Sequence, residues 1–396
     1  MHADPLIAQY EAWVYPRPIE DLAAYVAAGG RDLSDPSRLG VKLWPRQDAP
    51  QQLEILVAGC GANQAAILAH ANPQHRVFGI DLSDQAIAHH RQLQERHQLH
   101  NLQLQRLAVE DLAATGRRFD LIVSTGVLHH LADPLAGLQA LRAVLAPHGV
   151  ISVMLYGRNR RAGVYMVQEA LRALGAGRTP QDVALARDVV NQLPSWHHAR
   201  QYADIAPDLA YDAGFVDTFL NARDRAYTVP EIMDLAHAAG LGFQGWLDGL
   251  HYSPAAAFPA DAAIHERIHD LPQLQQWHIV DLLAQLTGAH RFLLCHQGRE
   301  AAAASPFEGD SWEDAVLHRH PDLVLTPGPD STATLAREWH RFSLAGDVLD
   351  VIQRIDGTRS AGQLLAALPD QARRDFAAAT LAQLAEWDHI LCALPA

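Results

Sequence analysis

Two glycines one residue apart, closing an apolar run, are the first residues in this chain whose types and spacing could do chemistry. Leu53–Ala58 reads LEILVA and stops at Gly59-Cys60-Gly61-Ala62-Asn63. Glycines there let the backbone approach a ligand without a side-chain clash. An acid at the tip of the next strand, Asp81, is placed by its spacing to take ribose hydroxyls. A third glycine is absent, and Asn63 is the residue type next most tolerant of that corner. No lysine follows the glycines, which argues against a phosphate-cradling NTPase loop. A second group lies farther along. His129 and His130 follow the fourth apolar run, and Tyr156 ends the fifth, with Arg158 and Arg161 just beyond. An imidazole here suits a general base or an acceptor-orienting group, set against the plainer role of holding a helix start. A third pattern, His265-Glu266-Arg267-Ile268-His269, matches HExxH, which on a helix can bind zinc. No distinct third ligand accompanies it, so no metal site is expected.

The elements that must position these residues alternate. Leu53–Ala58, Arg76–Asp81, Leu102–Leu107, Phe119–Thr125 and Gly149–Tyr156 read as strands. Helices are expected at Ala65–Ala71, from Ser83 through Leu99, and at Leu135–Leu145. That rhythm predicts a doubly wound parallel sheet. Beyond Tyr156 the pattern predicts helices at Arg158–Gly177 and Pro180–Leu193. An aromatic and Asp-rich loop region is expected to about Arg225, and then a helix opening at Thr228-Val229-Pro230-Glu231. Leu241–Leu247 and Arg291–His296 are expected to complete the same sheet, with a helical stretch over Asp261–Leu286 between them. Residues 157–227 and 252–289 then form insertions over its carboxyl edge, where ligands bind in such sheets. The expected division is a lid or helical segment over 1–50, a catalytic domain over 51–298, and a small domain over 307–396. Glu300–Pro306 is the best linker by composition. In the last part, Asp322–Leu325 and Ile390–Leu394 look like strands, and Ala345–Ile355, Ser360–Leu368 and Asp370–Trp387 like helices.

Composition narrows the partners. The 396 residues carry 31 basic and 45 acidic side chains, a formal net charge of -14. This disfavours nucleic acid as a partner, since grip on a duplex comes from phosphate neutralisation. Lys42 is the only lysine. Cys60, Cys295 and Cys392 lack metal or redox spacing, and no apolar run approaches a membrane span. A cytoplasmic protein away from membranes is expected. The 23 histidines read mostly as background. Leu317-His318-Arg319-His320, Trp196-His197-His198 and His89-His90 are expected on solvated loops or helix faces.

Together VAGCGANQ, IDLS, FDLIVSTGVLHHLADPLAGLQAL and LAPHGVISVMLYG resemble the class I S-adenosylmethionine-dependent methyltransferases. The amino-terminal Tyr10-Glu11-Ala12-Trp13-Val14-Tyr15-Pro16-Arg17 resembles the YExxPYPR segment of a bacterial subgroup. The resemblance implies a Rossmann-like seven-stranded α/β methyltransferase sheet with helical insertions. It also implies S-adenosyl-L-methionine as cofactor, held by Ala58, Gly59, Gly61, Gln64, Asp81, Leu82, Thr125 and Gly126. Glu110 or Asp111 would reach the adenine, and Tyr15 and Arg17 would close over the cofactor. His130, His129 and Tyr156 become the catalytic candidates, with Arg158 and Tyr165 as substrate contacts. Two positions depart from the pattern: Val57-Ala58 stands where many members carry an acid, and Ala108 where many carry the adenine-contacting Asp. The stretch from Phe342 to Asp356-Gly357-Thr358-Arg359 resembles winged-helix modules ending bacterial protein lysine methyltransferases and, more weakly, PqqD-like peptide-holding modules. The expected function is methyl transfer to a protein or peptide side chain, lysine-type. The alternatives are a small-molecule methyltransferase of a biosynthetic pathway and a non-catalytic cofactor-binding regulator. The oligomeric state stays open, a homodimer included.

Overall fold

The computed structural model of the chain describes residues 5–46, 48–259, 261–300 and 312–394. Seven strands form one sheet: β1 (Glu54–Ala58), β2 (Arg76–Asp81), β3 (Leu102–Arg106), β4 (Phe119–Thr125), β5 (Leu145–Tyr156), β6 (Leu241–Trp246) and β7 (Ala289–His296). Their order is β3-β2-β1-β4-β5-β7-β6. The first five run parallel, whereas β7 is antiparallel to both β5 and β6. A sheet buried on both faces needs apolar residues at every position, and the alternating side chains sort onto two cores. Leu56, Ala58, Ile122, Ile151 and Val153 pack on one face with Leu138, Leu141 and Ile232. Ile55, Val57, Leu121, Val123 and Val150 pack on the other with Ala65, Leu68 and Leu43.

Helix caps are written in the sequence. Ser83 accepts from the Ala86 amide, and Asp133 from those of Leu135 and Ala136. Thr228 and Glu231 close a reciprocal capping box on Val229–Ala238. Some expectations need correction. The helix after β4 ends at Ala143, because Leu145 already pairs with Phe119 in the sheet. The stretch read as loop holds two helices, His198–Ala203 and Asp212–Phe219. Phe215, Val216 and Phe219 of the second pack against Val164, Val167 and Leu171, so apolar spacing overrides the aspartates. The 261–286 stretch breaks into Ala263–His269 and Gln273–Leu283, with Pro272 at the second helix's start.

The carboxyl-terminal part carries strands β8 (Val316–Arg319), β9 (Val324–Pro327), β10 (Thr332–Arg337), β11 (His340–Ala345) and β12 (Ile390–Ala393). β12 pairs with β8, and β9–β11 form an antiparallel meander. Helices Gly346–Gln353, Ala361–Leu365 and Gln371–Glu386 pack on them around Leu317, Leu335, Ile352 and Leu381. The β8 strand and the β10–β11 hairpin went unread in the sequence. This unit seats on the sheet domain. The Lys42 ammonium pairs with Asp388, Arg38 with Asp322, and Leu391 joins the core beside Leu43. Of the linker expected at 300–306, all but Glu300 lies outside the described residues.

Candidate functional site

The glycine turn after β1 is built for close approach. Gly59 and Gly61 have φ of +72° and +54°. A Cβ on Gly59 would lie 2.4 Å from Val127 Cγ2, and one on Gly61 would lie 2.8 Å from Pro16 Cδ. Asp81 sits opposite. Its Oδ2 accepts from the Gly61 amide at 2.8 Å and its Oδ1 from the Ser83 amide at 2.9 Å. A carboxylate has about four acceptor sites, so lone pairs remain for a ribose diol. Burial raises the Asp81 carboxyl above its usual value, against the hydrogen bonds from Ser83 and Gly61. Gln64, at the start of helix Gln64–Ala71, bridges to Thr125 Oγ1 at 3.0 Å. Gly126, at φ +72°, turns the chain after β4. Ala58 is fully buried in the β1 core, so its side chain does not face this groove. Leu82 accepts from Arg106 Nε through its carbonyl. Glu110 and Asp111 stand exposed on the first turn of Val109–Thr115, after β3.

The amino-terminal segment crosses this turn. Asn63 accepts from the Ile19 amide and donates to the Arg17 carbonyl, each at 2.8 Å. Tyr15–Pro16 thereby lies against Gly61, while the Arg17 side chain is exposed. Tyr15 donates to Asp208 at 2.9 Å and stacks with Tyr211 at 6.4 Å.

Beside the turn, at the carboxyl ends of β4 and β5, aromatic rings surround a buried acid. Asp217, 2% exposed, receives the Tyr10 hydroxyl on Oδ1 at 2.9 Å and the Tyr156 hydroxyl on Oδ2 at 2.8 Å. Burial foremost, and then Asp217, pushes both phenols well above their usual value, so each stays a protonated donor. His129 stacks on Tyr156 with centroids 4.0 Å apart, and neither of its ring nitrogens has a hydrogen-bond partner. Burial, then His130 and Arg161, holds His129 well below the ordinary histidine range, so it is neutral at pH 7. His130 Nδ1 lies 2.8 Å from the Arg223 carbonyl. A carbonyl only accepts, so Nδ1 carries a proton, and the tautomer this selects is the one with its lone pair on Nε2. Arg161 lies over the Tyr156 ring at 3.7 Å, donates to the Tyr202 hydroxyl at 2.7 Å, and stands 3.7 Å from Asp224. Tyr165 is beside it, its hydroxyl unpartnered.

The sequence-named His129, His130, Tyr156 and Tyr165 are thus gathered together. Arg158 is not part of that group: it pairs with Glu231 at 2.7 Å and anchors the next helix. Tyr10 and Asp217 were missed as site residues. Asp217 carried one signal, an acid inside the apolar stretch Phe215–Phe219. Of the histidines expected in solvent, His90 and His320 are buried, at 0% and 5% exposure. Among the described residues no group of three or more His, Cys, Asp or Glu side chains is arranged to hold a metal, and no helix is long and apolar enough to cross a membrane.

Residues 56–151 match a family model described as a methyltransferase domain. An uncharacterized protein of Synechococcus sp. is 31% identical over 287 residues, covering 69% of this chain and 66% of that protein. The tRNA 5-carboxymethoxyuridine methyltransferase of Escherichia coli is 40% identical over 109 residues, 27% of this chain and 41% of that enzyme. The chain therefore spans about two thirds or less of these relatives' lengths. PKMT2 from Rickettsia typhi, solved also in complex with AdoHcy, shares the fold with a TM-score of 0.65 at 16% identity, covering 91% of this chain and 76% of that one. A glycine turn and ribose acid that fit an adenosyl cofactor, on a sheet of this order, agree with that match. The chain carries a methyltransferase domain of the class I S-adenosylmethionine-dependent type, matched over residues 56–151.

Proposed function

We propose that the protein transfers a methyl group from S-adenosylmethionine to an amine on a protein or peptide, most simply a lysine side chain. The observation that carries this reading is the Asp217 carboxylate held by the Tyr10 and Tyr156 hydroxyls, with His129 stacked on Tyr156. Aromatic faces and a carboxylate together favour a cationic, alkyl-bearing group. Asp208 and Asp224 add to the same sign of field, and Arg161, which lies over the Tyr156 ring, stands 3.7 Å from Asp224. The bound cofactor supplies an activated sulfonium methyl, and the work left to the chain is alignment, dehydration and one proton. Tyr10 and Tyr156 fix Asp217, which orients the acceptor nitrogen. His130 Nε2, with its lone pair free, takes the proton that nitrogen must lose.

The net charge of -14 favours basic partners over nucleic acid. The resemblance of the Asp356–Arg359 stretch to modules of protein lysine methyltransferases points the same way. The test is transfer of labelled methyl into a lysate freed of nucleic acid and separated by size. Label in the protein fraction, mapped to lysine by mass spectrometry, is expected. Label only in small metabolites would end the protein-acceptor reading.

A further inference from the structure

The first strand of this sheet ends apolar, in Val57 and Ala58, both fully buried. The groove between the β1 and β4 turns is nonetheless supplied with an acid from elsewhere. Asp32, on the amino-terminal segment, accepts from Gln64 Nε2 on its Oδ2 at 2.7 Å and from the Ser34 amide on its Oδ1 at 2.7 Å. The same Gln64 amide nitrogen reaches Thr125 Oγ1, so Asp32, Gln64 and Thr125 form one polar chain across the groove. The segment is held there by Asn63 through Arg17 and Ile19, and by Ser34 Oγ against Ser152 Oγ at 2.7 Å.

Asp32 makes no ion pair among the described residues, although its sequence neighbour Arg31 pairs outward with Asp322. It keeps some exposed surface while the surrounding chain desolvates it, and burial raises its carboxyl above the usual value. A crowded carboxylate without a cation is costly, and an ammonium offsets that cost through charge-assisted hydrogen bonds. We infer that Asp32 receives the α-ammonium of the cofactor's amino-acid portion, taking over from the amino-terminal segment the place left apolar on β1. This inference rests on the chain binding an adenosyl amino acid. It also makes the amino-terminal segment part of the cofactor site rather than a cover alone.

The experiment compares wild type and Asp32→Asn by calorimetric titration with three adenosyl thioethers. These are S-adenosylhomocysteine, its decarboxylated analogue that keeps the amine, and 5′-deoxy-5′-methylthioadenosine, which lacks the amino-acid portion. Asparagine keeps one acceptor oxygen, for the Ser34 amide, and its new Nδ2–H can meet Gln64 once that side-chain amide flips, while the methylthio probe reports whether the nucleoside site is intact. The expected result is a loss of about 10- to 100-fold for the two amine-bearing probes, with the methylthio probe unchanged. Equal losses for all three probes, or no loss, would overturn the assignment to Asp32. Failure of wild type to bind any probe would instead remove the cofactor reading, and this inference with it.

Discussion

The Tyr156 hydroxyl, at the end of β5, donates to Asp217 at 2.8 Å, joining the sheet edge to a helix of the insertion. Tyr10 reaches the other oxygen of the same carboxylate. Three distant parts of the chain therefore meet on one acid. Asp217→Asn keeps the shape, but it removes the anion on which the proposed acceptor site relies. Methyl transfer is expected to fall about 100-fold or more, with affinity for S-adenosylhomocysteine nearly unchanged. Parallel loss of cofactor affinity would show that Asp217 supports the fold rather than the acceptor.

The glycine turn gives a sharper structural test. Gly59→Ala places a methyl 2.4 Å from Val127 Cγ2 at a backbone φ of +72°. A cost of about 1–3 kcal/mol in stability is expected, together with a loss of cofactor affinity of about tenfold or more. Gly116→Ala, at φ +63° but with open space around it, should strain the backbone and spare cofactor binding. Thermal melts and calorimetry on the pair separate the two effects.

Asp281 is buried, donated to by Asn159 at 2.7 Å, and burial pushes its carboxyl up to about 6 from 3.8. A folded-state value above the unfolded one means that the proton-linked stability is fully present below pH 3.8. It is lost as the pH rises through 6. Asp281→Asn removes that dependence and is expected to stabilise the protein by about 1–3 kcal/mol at pH 7.5, with no gain at pH 4. Denaturation at the two pH values checks it, and an equal gain at both would contradict the assignment.

Histidines in the carboxyl-terminal unit act in the opposite sense. Burial and Arg337 hold His320 and His389 down to about 3 from 6.5. Both are stabilising as neutral rings above pH 6.5, and that stability drains as the pH falls toward 3. At pH 5 each should cost the unit about 1–2 kcal/mol. Hydrogen exchange over 312–394 is expected to quicken between pH 7.5 and 5, after correction for the intrinsic rate, more than over β1 and β4. Equal change in both regions would contradict this.

The sheet was largely legible because its strands are buried runs bounded by punctuation. β1 ends in glycines and β2 in Asp81, and β4 matches its expected limits at both ends. The direction of β7 was not legible, since strand orientation leaves no mark in a short apolar run. The β10–β11 hairpin was hidden because its turn is Glu338-Trp339, with Glu338 at φ +54° in place of glycine or asparagine. In the site, His129, His130 and Tyr156 follow strand ends and were readable from position alone. Tyr10 and Asp217 join them, and Asp32 meets Gln64, only through contacts between distant parts of the chain, which local pattern does not encode. Even Lys42, noticed only as the single lysine, has a definite place: its ammonium is tied to Asp388 between the two units.

The central claim, an amine on a protein as methyl acceptor, meets its most direct test in an amine-blocking comparison. A proteome with free amines, and the same proteome after complete acetylation of its amines, are each incubated with the enzyme and methyl-labelled S-adenosylmethionine. Protein-bound label in the first, abolished in the second and strongly reduced with Asp217→Asn, is the predicted result. Label that survives acetylation, or that appears only in small molecules, would contradict the account.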